Sequence, residues 1–181
     1  MTTEIRKTPI DKAYEIYSKT FDDHRGAFLN CYRSNEDAFL EIWGDKKIAQ
    51  VNISRTKDRG LIRGLHLQAK PHSEAKLVRC LKGCVWDVVV DLRRDSITYG
   101  HWHALELSER RGNALHIPQG CAHGFQVLEP NSELLYLHSA NWYPEHERGI
   151  RWDDPTLDIA WPLPVTGLSD RDRKLPYLVN S

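Results

Sequence analysis

Between Lys76 and Tyr143 the chain is a succession of short β-like runs cut by turn residues, and this pattern limits the possible folds more than any other feature. "KLVRCLKG" and "CVWDVVVDLR" are two runs broken at Gly83, and "YGHWHALELS" alternates. "NALHIPQG" is a run ended by Pro-x-Gly, and "AHGFQVLE" and "SELLYLHSANWY" flank the turn residues Pro130 and Asn131. Short strands with Gly, Pro and Asn between them predict an all-β sandwich or barrel. Helix is scarce. "SNEDAFLEIWG" is the best candidate, with Ser34 as the capping residue, acids in the first turn and a terminal Gly44. The last third, which includes "WDDPTLDIAWPLP", is predicted to wrap the sheets as ordered loop, because its tryptophans need burial.

No repeat or linker divides the 181 residues, so one domain spanning 1–181 is expected. Lys+Arg and Asp+Glu are both 25, which argues against nucleic acid or a polybasic membrane contact as the main partner. No long apolar run exists, and "MTTEIRKTPIDKAYEIY" lacks the apolar stretch of a signal peptide, so a cytoplasmic protein is expected. The cysteines, Cys31, Cys80, Cys84 and Cys121, form no CxxC pair and are expected to be reduced thiols.

The chemistry centres on "RGLHLQ". A histidine in a strand is ordinarily structural. Here Gln68 shares a face with His66, and alternation sends Arg63 to the other face unless a bulge intervenes. Lys76 opens the next strand and would lie beside His66 if the two strands pair. A histidine, a lysine and an amide in one β-cavity form a polar cluster where a core is expected, which is costly unless used. A metal site is the competing reading of these residues. Metal-binding cupins use His-x-His, a Glu and a distant Pro-x-Gly-x-x-His. Pro118, Gly120 and His123 supply the last phrase and Glu74 an acid, but Gln68 stands where the second histidine belongs and is a poor ligand. His101 and His103 share a strand face without an evident third ligand. No metal and no other cofactor is therefore expected.

Taken in order, "FDDHRGAF", "IRGLHLQ", "KLVRCLKG", "VVVDLRRDSITYG", "LHIPQGCAHGF", "ELLYLHSANWYPEHERGIRWDDPTLDIAWP" and "LSDRD" cover most of the chain. Together they resemble the dTDP-4-dehydrorhamnose 3,5-epimerase family. The resemblance implies a metal-free cupin, a jelly-roll β-sandwich with a few short helices. It implies a substrate that is a nucleotide-diphosphate keto-deoxysugar, in dTDP-rhamnose-type deoxysugar biosynthesis. It also implies a homodimer whose N-terminal strands exchange.

Such enzymes invert centres beside a C4 ketone. The chemistry needs a base of near-neutral pKa, a cation or donor at the ketone oxygen and an acid across the sugar ring. His66 suits the base. By resemblance Asp172 is its partner, with Asp170 the competing choice. Lys76 resembles the group at the enolate oxygen. Tyr143 is expected to be the acid, with Tyr136 the alternative. Arg25 and Arg63 match diphosphate positions, which suit a planar guanidinium. Phe21 and Phe28 flank Arg25 and are expected near the base. Gln50, Asn52, Gln68, His123, Glu147 and Trp161 complete the expected pocket. Departures at Leu137, Trp142 and Cys121 leave open epimerisation at a single centre and a CDP- or GDP-linked sugar. A metal cupin and a non-catalytic nucleotide-sugar binder are the remaining alternatives; the second needs neither His66 nor the tyrosine acid.

Overall fold

The computed structural model describes residues 3–178. The strands are β1 (Glu4–Lys7), β2 (Tyr14–Tyr17), β3 (Thr20–Asp23), β4 (Gly26–Leu29), β5 (Gln50–Thr56), β6 (Ile62–Gln68) and β7 (Lys76–Lys82). They continue as β8 (Cys84–Asp91), β9 (Trp102–Ser108), β10 (Asn113–Ile117), β11 (Cys121–Val127), β12 (Ser132–His138) and β13 (Glu147–Gly149). The two α-helices are short, α1 (Asp37–Trp43) and α2 (Asp170–Arg173). A six-stranded sheet in the order β1-β2-β10-β7-β12-β5 faces a five-stranded sheet in the order β13-β6-β11-β8-β9. Among the described residues, neighbouring strands within both sheets pair antiparallel. This is the antiparallel sandwich that the strand spacing predicts and the jelly roll that the resemblance implies, and β3 and β4 form a separate hairpin.

Period-two alternation sorts side chains into layers. Val78, Cys80, Leu115, Ile117 and Leu134 of one sheet meet Val85, Val89, Leu107, Phe125 and Val127 of the other in the inner core. Ala114, Leu77 and Leu137 point outward beneath Phe39, Ile42 and Trp43 of α1. Val88, Val90 and Ala122 point outward beneath Ile150, Leu157 and Ile159 of the C-terminal segment. That segment wraps the five-stranded sheet as predicted. Trp102 Nε1 donates to Leu157 O, and Trp161 Nε1 donates to Trp152 O.

Two local expectations change. Helix α1 starts at Asp37, and its N-cap is Glu36, with no side-chain cap. Ser34 lies inside the preceding turn, closed by Glu36 N–H to Arg33 O, so its hydroxyl is misplaced for capping. Gly44 ends the helix with positive φ, as the sequence indicates. Second, β6 and β7 do not pair. They belong to opposite sheets, so Lys76 meets His66 across the sandwich. The four cysteines are free, three of them buried. Among the described residues no helix is long and apolar enough to cross a membrane.

Candidate active site

At one end of the sandwich the inward positions switch from apolar to polar. Gln50, Asn52, Ser54 and Thr56 of β5, Tyr136 and His138 of β12, and Lys76 of β7 form one wall. Arg63 and His66 of β6 and His123 of β11 form the other. The cavity between them holds about 790 Å³ and is also lined by Glu147, Leu168 and Asp172.

Arg63 reaches this cavity through a bulge. His123 pairs with His66 and Phe125 with Arg63, so β6 carries one more residue than β11 over this stretch. The extra residue reverses the alternation, and Arg63 and His66 come to one face. Gly64 sits in the bulge at φ 125°, where a Cβ would collide with Gly124 Cα. Glycine is needed here for both conformation and space.

His66 Nε2 lies 2.7 Å from Asp172 Oδ1, and the Gly64 N–H donates to Asp172 Oδ2 at 3.3 Å. Ser169 caps α2 by accepting from Asp172 N–H, which fixes the carboxylate in place. Burial pushes the Asp172 carboxyl up, but the bond and charge of His66, with the Gly64 and Ser169 bonds, hold it below its ordinary value. A charged carboxylate on Nε2 leaves Nδ1 as the ring nitrogen able to act as base. Asp170 is exposed at the start of α2 and does not compete.

Lys76 is buried. Its Nζ donates to the His66 carbonyl at 3.2 Å and pairs with Glu74 Oε1 at 3.1 Å. His123 Nε2 bonds to Asp87, a carboxylate that burial pushes up in pKa despite the opposing His123 charge. Burial, then the charge of Asp87, raises the Tyr136 phenol above its ordinary value, so it stays protonated. The Tyr136 ring stands edge-on to His123 and stacks with His138.

Tyr143, expected as the acid, is not among the residues lining the cavity. Its ring stacks on His72 with centroids 3.8 Å apart, and its N–H donates to Gln68 Oε1. Gln68 is inward-facing but spends its amide on this loop, donating to His72 O and Asn141 O, and it too does not line the cavity. Trp142, the neighbour of Tyr143, lines the cavity instead; its indole N–H donates to Glu147 and its backbone N–H to Gln50. Glu147 is also paired with Arg171 at 2.7 Å.

Trp161 belongs to the C-terminal wrap and packs against the outer core cluster, away from the cavity. Arg25, Phe21 and Phe28 lie on the β3–β4 hairpin outside the cavity of their own chain. Arg25 is paired with Asp23, and Phe28 is 68% exposed. Sequence reasoning missed Asp87 and His138. An acid within "VWDVVVD" and a histidine two positions beyond Tyr136 are inward polar residues in apolar strands, which was the available signal.

Among the described residues no three His, Cys, Asp or Glu side chains converge as a metal site. The Nε2 atoms of His66 and His123 are each engaged by a carboxylate.

The family model for dTDP-4-dehydrorhamnose 3,5-epimerase matches residues 7–180. A relative of that name from Pseudomonas aeruginosa is 46% identical over 158 residues, 86% of this chain and 85% of the relative. A Legionella pneumophila dTDP-6-deoxy-D-glucose-3,5-epimerase, in complex with dTDP-4-keto-L-rhamnose, superposes with a TM-score of 0.91 at 36% identity, over 97% of this chain and 93% of that one. A 3'-monoepimerase from Streptomyces bikiniensis, in complex with dTDP and with one histidine changed to asparagine and one tyrosine to phenylalanine, gives 0.86 at 32% identity, over 94% of this chain and 85% of that one.

Proposed function

This chain belongs to the dTDP-4-dehydrorhamnose 3,5-epimerase family, and from that premise we propose that it inverts C3 and C5 beside the C4 ketone of dTDP-4-keto-6-deoxyglucose. It is an isomerase of the epimerase kind. The observation that carries the reading is that a carboxylate-paired histidine and a protonated tyrosine enter one cavity from opposite sheets.

The ketone acidifies the C–H beside it. His66 Nδ1 removes that proton, the electron pair moves onto the ketone oxygen, and Asp172 stabilises the imidazolium. The Lys76 ammonium faces the oxygen as negative charge develops there. Inversion then requires a proton on the other ring face, and Tyr136, on the opposite wall, supplies it. The tyrosine replaced in the Streptomyces bikiniensis relative follows its histidine by the same sequence separation as Tyr136 follows His66, which supports Tyr136 over Tyr143. Arg63 is placed to take the diphosphate. The proposed steps use protein side chains and no metal.

A homodimer completes the reading. The hairpin bearing Phe21, Arg25 and Phe28 does not line its own cavity, and the edge strand β5 exposes Val51 and Ile53. Exchange of the N-terminal strands would bring the hairpin to the partner's diphosphate and base. Light scattering should give twice the chain mass at micromolar concentration, and a monomer would count against exchange. Four free thiols suit a reducing cytoplasm.

The test of function is solvent deuterium incorporation into dTDP-4-keto-6-deoxyglucose, read by NMR at C3 and C5 separately. Exchange at both centres supports the reading, and exchange at neither overturns it. Exchange at C3 alone would assign the single-centre reaction, which the monoepimerase relative keeps in view.

A further inference from the structure

Lys76 brings a positive charge into a place where water cannot solvate it, since its side chain is 9% exposed. A buried ammonium without a counter-charge gives up its proton readily, and its four-carbon stem does not aim itself. The structure supplies both a counter-charge and an aim through residues that the proposed mechanism leaves unused. Glu74 Oε1 is 3.1 Å from Lys76 Nζ, and its Oε2 is 2.8 Å from His138 Nδ1. His138 Nε2 is in turn 3.3 Å from Asn52 Nδ2. The chain of contacts follows the sheet. His138 pairs in register with Lys76, and Asn52 lies one inward position along from the residue opposite His138.

The titratable groups lining the cavity with the ammonium are Glu74 from its own segment, His138 and Tyr136 from β12, His66 and Arg63 from β6, Glu147 from β13, and Arg171 and Asp172 from α2, with the His123–Asp87 pair of β11 and β8 behind them. Among the described residues, Glu74 is the acid within ion-pair distance of Lys76. Burial pushes the Glu74 carboxyl up, but the His138 bond and the Lys76 charge outweigh it and hold it below its ordinary value. Glu74 is therefore an anion wherever the enzyme would work. An ammonium has three N–H donors. One goes to Glu74 and one to the His66 carbonyl, which leaves one for the cavity.

We propose that Glu74 and His138 are positioning residues, which keep Lys76 charged and turn its remaining N–H toward the oxygen that becomes the enolate. This rests on the epimerase reading above. Glu74 acts directly on Lys76, and His138 acts through Glu74 by holding its second oxygen.

The experiment compares wild type with Glu74→Gln, Glu74→Asp and His138→Gln. Wild-type deuterium exchange into dTDP-4-keto-6-deoxyglucose is measured first; its absence sinks the epimerase reading itself. With exchange established, Glu74→Gln should lower kcat by about 10²-fold, the scale of a misplaced catalytic group, with KM within about threefold. Its alkaline limb should move down by about one pH unit or more, because the ammonium has lost its anion. Glu74→Asp keeps the charge and should return that limb to its wild-type position, a rescue that a packing role would not produce. His138→Gln should lower kcat by about tenfold with KM little changed. Wild-type kcat and an unmoved limb in Glu74→Gln would overturn the inference. If circular dichroism finds Glu74→Gln unfolded, the other two variants decide it, and wild-type kcat in both overturns it.

Discussion

Asp172→Asn isolates the charge on the proposed base's partner while keeping its shape. The carboxylate is 2.7 Å from His66 Nε2 and almost wholly buried, its side chain 3% exposed. When His66 takes a proton, the two charges stand about 4 Å apart, which is worth about 4 kcal/mol at an effective dielectric of about 20. The His66 side chain is 27% exposed, and Asp172 also accepts from the Gly64 N–H, so screening and sharing reduce this to about 3 kcal/mol. At about 1.4 kcal/mol per factor of ten this removes about 10²-fold. The asparagine amide can also present N–H where Nε2 needs an acceptor, which turns the ring and extends the loss toward about 10³-fold. The assay is deuterium incorporation at C3 and C5, with circular dichroism confirming the fold. Asp170→Asn, at an exposed position on the same helix, is the control and should leave the rate within about twofold. A folded Asp172→Asn enzyme exchanging within threefold of wild type would refute the dyad.

Other outcomes follow from the same geometry. Tyr136→Phe should cut net inversion by about 10²-fold or more while deuterium still enters through His66, whereas Tyr143→Phe should do little; the reverse result would return the acid to the loop. His116 is buried beneath α1 with its pKa lowered to about 4, chiefly by burial. The unfolded chain therefore takes up a proton below about pH 6.5 that the fold refuses. Stability should fall from about pH 6.5 to 4, by up to about 3 kcal/mol, and urea midpoints for His116→Phe should show a shallower decline. EDTA should leave activity intact, and loss of activity restored by one stoichiometric divalent metal would return His66 and His123 to the role of ligands.

Most of the sandwich was legible because its cause is local. The short apolar, β-branched runs of Lys76–Lys82, Cys84–Asp91 and Ser132–His138 are written in the residues themselves, as are Gly83, Pro130 and Asn131 between them. His66, the proposed base, stood out as a polar residue inside an apolar run. Asp172 was not legible from spacing, since "SDRDRK" reads as solvated loop and only the family likeness singled it out. The start of α1 was misread because a turn, rather than a cap, engages the segment around Ser34.

By itself the sequence determined the strands and marked His66 as a polar residue inside one of them. The tertiary structure decided which faces meet. Strands β6 and β7 go to different sheets, so Lys76 reaches His66 across the sandwich rather than along a shared edge. A bulge at Gly64 brings Arg63 into the cavity that strict alternation denies it. Gln68 holds the loop that carries Tyr143 away from the cavity, and Tyr136 takes the wall opposite His66. Each of these depends on contacts between residues far apart in the chain. Local periodicity carries no information about them, because one extra residue in a strand or one exchange of sheet partners reverses a side chain without changing any propensity.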